Sequence, residues 1–124
     1  MAFSSTEKWI SNLPKNFLST PISDKDASNL SQSIGKNFQI IFLNDMYISK
    51  VTIEHLTIEY PKQTQEQITL LLIKWRNKVG KKKANWNTLL HILLKHCEEV
   101  TIDFNMIKAI VKTKIMDIQK ERSI

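Results

Sequence analysis

The chain has 124 residues, with 18 Lys or Arg against 12 Asp or Glu for a formal charge of +6, one Cys, two Gly and three Pro. That length suits one compact domain with a single core, and a lone Cys excludes an internal disulfide and fits a reducing compartment. No window approaches the roughly 18 apolar residues of a membrane span, and the first residues lack a secretory apolar run, so the expectation is a cytoplasmic protein without membrane insertion whose charge favours acidic partners.

Scarce Gly and Pro beside plentiful Leu, Ile, Lys, Gln and Glu point to helix. Trp9, Ile10, Leu13 and Phe17 stand at helical spacing behind the capping candidates Ser4, Ser5 and Thr6. Pro14 should end or kink that helix, because it lacks an N–H and clashes with the preceding turn. Residues 1–21 therefore read as an N-terminal arm with a short helix, and residues 22–122 as the domain itself. Ser23 or Asp24 can cap the next segment, in which Ala27, Leu30, Ser31 and Ile34 share a face before Gly35. Phe38, Ile41, Phe42 and Met46 form the stripe that follows.

From Ile48 onward, "VTIE" and "LTIEY" alternate with period two and carry the β-branched residues of a strand. Only Glu54 and His55 separate the two runs, and neither suits the positive φ of a tight hairpin turn. The expected form is a short helix with Ile53, Leu56 and Tyr60 inward, closed by Pro61. Thr64 and Gln67 then fit a capping box ahead of Ile68, Leu71, Leu72, Trp75 and Val79, a stripe that stops at Gly80. Asn85 can cap a helix bearing Trp86, Leu89, Leu90, Leu93, Leu94 and Cys97. Beyond Glu98 and Glu99, Thr101 or Asp103 can open a last helix with Phe104, Ile107, Val111, Ile115 and Ile118 on one face and Lys108, Lys112 and Lys114 elsewhere. Short connections make successive helices antiparallel neighbours, so the predicted fold is an all-α bundle of six helices. Its expected core is Leu30, Ile34, Phe38, Phe42, Ile53, Leu56, Leu71, Leu72, Trp75, Leu89, Leu90, Leu93, Ile107 and Val111.

The runs "LSQSIGKNF", "ISKVTIEHLTIEYP" and "TQEQITLLLIKWRNKVGKKKANW" resemble the death-domain family, in the variety found in Fas-associated and innate-immunity adaptors. The resemblance spans about Asp24 to Asp103. Trp75 matches the family's buried tryptophan, and Gly80 with Ala84 its turn into the fifth helix; Phe38 stands where the family usually has Trp, and the final helix runs longer. What the resemblance implies is a six-helix Greek-key bundle without catalysis. It also implies homotypic binding to the death domains of other signalling proteins, with self-assembly, in apoptosis or innate immunity, and it favours helix over strand in the third segment.

Two corners carry the charge. Arg76, Lys78, Lys81, Lys82 and Lys83 cluster around Gly80, and Glu98, Glu99 and Asp103 around the following turn. Each could be only a solvated loop, but opposite signs on one rigid body can meet head to tail, building rings or stacks. In the family, such corners face each other in assemblies, which makes these eight residues the expected partner-binding set. The alternative is a basic helical nucleic-acid-binding module, since tryptophan beside lysine also marks single-strand binding; both indoles, however, belong to apolar stripes and read as core.

His91, His96 and Cys97 are separated by five and six residues and turn to different helix faces, so no metal site is expected. Cys97 continues an apolar face, and no P-loop, G-x-G-x-x-G, H-E-x-x-H or G-x-S-x-G pattern occurs. The chain is expected to be a non-enzyme without cofactor or catalytic residues.

Overall fold

The structure is a computed structural model that describes residues 2–122, with side chains from 5 to 121. Every regular element among them is a helix: α1 (Ala2–Ser11), α2 (Lys15–Leu18), α3 (Asp24–Ser31), α4 (Gln39–Asn44), α5 (Lys50–Glu59), α6 (Thr64–Val79), α7 (Trp86–Lys95) and α8 (Phe104–Arg122). The fold is all-α. The strand-like stretch after Ile48 is α5, whose Ile53 and Leu56 are buried while Val51 and Ile58 face out. Helical spacing of its inward residues decides there over β propensity.

In the N-terminal arm, Ser5 and Thr6 lie inside α1 rather than capping it. Pro14 separates α1 from α2, standing just ahead of the first turn where a missing N–H costs nothing. Ile10 and Phe17 are fully buried, α1 packs on α7, and α2 on α7 and α8. The Phe17 ring lies 5.1 Å from that of Trp86 between centroids. The arm is thus part of the core.

Caps set most of the other helix starts. Asp26 N–H donates to Ser23 Oγ at 3.1 Å and Ser23 N–H returns to Asp26 Oδ2 at 3.0 Å, a reciprocal capping box on α3. The same buried carboxylate meets Lys114 Nζ of α8 at 3.3 Å. Ser23→Ala should lower stability by about 1 kcal/mol, read as a shift of the urea midpoint at unchanged slope. Ser49 accepts from Thr52 N–H, Asn85 from Thr88 N–H and Asp103 from Met106 N–H at the starts of α5, α7 and α8.

The box expected from Thr64 and Gln67 does not form. Gln63 precedes the first helical residue, and Gln67 Nε2 instead donates to the Tyr60 carbonyl at 2.8 Å, tying the first turn of α6 to the end of α5. Gly80 ends α6 at φ +89°, a conformation that L side chains rarely adopt.

Helix α3 lies along α6. Every residue expected in the core, from Leu30 and Ile34 through Trp75 to Ile107 and Val111, is buried. No helix is long and apolar enough to cross a membrane among the described residues.

Candidate functional site

The basic corner begins where Gly80 turns the chain out of α6. Lys83 N–H and Ala84 N–H both donate back to the Gly80 carbonyl, at 3.2 and 3.0 Å, closing a tight turn. A short antiparallel bridge, Pro21 with Asn85, fixes this turn to the arm: Ile22 N–H donates to Ala84 O at 2.9 Å and Trp86 N–H to Thr20 O at 3.1 Å. Asn85 Nδ2 adds a bond to Lys82 O at 2.9 Å. Lys81, Lys82 and Lys83 are exposed and form no ion pair among the described residues.

Arg76 and Lys78 have partners within the fold, Arg76 half-buried and Lys78 exposed. The Arg76 guanidinium meets Asp24 Oδ1 at 2.6 Å and the Ile22 carbonyl at 3.2 Å, so it braces the start of α3 against α6. Lys78 Nζ donates to the Tyr47 carbonyl.

The acidic corner follows α7 and is held in the same manner. An antiparallel bridge joins Ile102 to Ile34, with Gly35 N–H donating to Thr101 O at 2.8 Å and Thr101 N–H to Lys36 O at 3.1 Å. Asp103 N–H donates to Ser33 O at 2.8 Å while its carboxylate caps α8, and Asn37 Nδ2 reaches Glu99 O at 3.1 Å. Glu98 and Glu99 are exposed, although one carboxylate oxygen of Glu99 turns back toward His96.

Beneath this corner sits His96, buried, with a carboxylate at each ring nitrogen: Asp45 Oδ2 at Nε2 and Glu99 Oε2 at Nδ1, the latter at 3.2 Å. Lys95 Nζ holds the other Asp45 oxygen at 3.0 Å. Both imidazole nitrogens can donate at once only in the imidazolium. Burial alone pushes the Asp45 carboxyl up, but hydrogen bonds from His96 and Lys95, with their charges, outweigh it and leave its pKa below the ordinary value. Nothing in the sequence marks Asp45 as a partner of His96, 51 residues away.

The two corners lie at opposite ends of α7, ten residues and so about 15 Å long. Cations just beyond the C-terminus of α6 favour its dipole, whereas Glu98 and Glu99 stand beyond the C-terminus of α7, where the partial charge is negative and opposes them.

The other sequence candidates lie apart. His91 is exposed, its Nδ1 donating to Asn87 O at 2.8 Å, and Cys97 is a half-buried free thiol. Among the described residues no group of three or more His, Cys, Asp or Glu is placed to hold a metal ion. Trp75 and Trp86, which flank the basic corner in sequence, are 2% and 0% exposed and present no ring face for a base to stack on. No model of a known protein family matches the chain.

Proposed function

We propose that this chain is a non-enzymatic signalling adaptor module of the death-domain type. In this reading α3 to α8 form the six-helix Greek-key bundle, and the module binds like-folded domains in the cytoplasm during apoptotic or innate-immune signalling. The observation that carries the reading is the pair of exposed, oppositely charged corners at the two ends of α7, each braced by its own bridge. Rigid display lowers the ordering cost of association, and opposite signs allow one molecule's basic corner to meet the next one's acidic corner. The resemblance in sequence from about Asp24 to Asp103 supports the same reading.

Single exposed ion pairs contribute only about 0 to 1 kcal/mol, so register and encounter rate depend on the whole patch rather than on one residue. Lys81, Lys82 and Lys83 present the basic surface and Glu98 and Glu99 the acidic one; Lys78 and Asp103 lie exposed beside them, and Arg76, paired with Asp24, braces the basic corner.

The doubly substituted Lys82→Glu/Lys83→Glu chain should keep its helical circular dichroism and lose capture of an adaptor death domain in a pull-down. A second variant, Glu98→Lys/Glu99→Lys, should fail alone. Mixed with the first, it should restore association, because the first keeps the native acidic corner and the second the native basic one. Unchanged capture by the lysine variant would refute the assignment, as would a gel shift of random DNA by the native chain without any domain capture.

A further inference from the structure

Helices α1 and α8 leave a groove between them, with a volume of about 370 Å³, floored by Trp9, Leu13, Ile115 and Met116 and flanked by Lys108 and Lys112. No carboxylate lines it. The Lys108 ammonium stands 5.5 Å from the centroid of the Trp9 ring, which places one cation over the apolar floor. Met116 remains 49% exposed.

A surface of matching character occurs on α5. Val51 and Ile58 are 58% and 75% exposed. Seven residues apart, they share one helix face about 10 Å long, and Glu54, three residues after one and four before the other, lies between them. The opposite face, with Ile53 and Leu56, is committed to the core, so the outward apolar pair contributes little to folding.

We propose that the groove between α1 and α8 receives α5 of a second copy of this chain. Val51 and Ile58 supply two apolar knobs two turns apart, and Glu54 between them meets the Lys108 and Lys112 pair, which spans one turn of α8. Charge complementarity selects this occupant: an acid-free cationic groove and an exposed apolar helix face carrying a carboxylate exist on the same molecule. A single acyl chain suits the groove poorly, because small-ligand sites enclose most of their ligand. A helix brings its own cover. The contact is heterologous, since groove and knob are different surfaces, and it propagates from copy to copy unless the rotation closes a ring. It uses neither charged corner and stands independently of the function proposed above.

The native chain should grow in mass with concentration in size-exclusion chromatography with light scattering. Ile58→Asp, on an exposed site, and Met116→Asp, on the groove floor, should each raise the self-association Kd at least about tenfold while circular dichroism stays native. Mixing the two variants should give a 1:1 dimer that grows no further, because each supplies the surface the other lacks. Lys112→Glu should weaken association and Glu54→Lys in the mixed partner should recover it. A native chain that stays monomeric at every concentration overturns the proposal, as does undiminished assembly of Ile58→Asp or a mixture that remains monomeric. Assembly abolished by Lys82→Glu/Lys83→Glu but untouched by Ile58→Asp would assign self-association to the charged corners and overturn the groove contact.

Discussion

Trp75→Ala is expected to destabilise the domain by about 3 to 5 kcal/mol, the range for a large aromatic truncated in a packed core. The side chain is 2% exposed and belongs to α6, whose buried residues Ile68, Leu71 and Leu72 form the surface on which α3 lies. Removing an indole there loses its transfer energy and leaves a cavity that neighbours held in rigid helices fill only in part. Total stability of a domain this size is of order 5 to 15 kcal/mol, so the loss removes a large share of it and, for a chain near the lower end, populates the unfolded state visibly near room temperature. Urea unfolding followed by circular dichroism reads the loss directly. The half-exposed Trp9 serves as the internal comparison: Trp9→Ala should cost clearly less, and an equal cost would contradict the account of where the core is centred.

Replacing Asp45 by alanine is expected to cost about 1 to 3 kcal/mol, because it leaves the buried Nε2 of His96 without its acceptor. It also removes the acceptor of Lys95, but that ammonium is 67% exposed and regains water, so the imidazole carries most of the effect. The same carboxylate gives a pH signature. Its pKa is lowered in the folded chain, so its contribution to stability is complete above the ordinary aspartate range. As pH falls through the lowered folded value the contribution is lost, and below both values it is gone. Native protein should therefore lose stability in acid more steeply than Asp45→Asn. Parallel acid slopes for the two proteins would remove Asp45 from the linkage. The substitution also loosens the seat of Glu99, so partner capture through the acidic corner should weaken even where the fold survives.

The amino-acid order by itself determined which segments are helical and which of their faces are apolar. That information is local: the three-and-four spacing of Leu71, Leu72 and Trp75, the caps at Ser23, Asn85 and Asp103, and the breaks at Pro14 and Gly80 act within a turn or two of chain. It also placed lysines and glutamates at two turns. Tertiary packing decided what those charged residues do. It turned Arg76 toward Asp24, joined Asp45 to His96 across 51 residues, and braced each corner against a distant loop through a bridge that no local pattern foretells. The physical reason is range. Helix propensity and capping depend on neighbours along the chain, whereas the partner of a polar side chain is whichever group the completed core brings within about 3 Å, and that is fixed only when all the helices have packed.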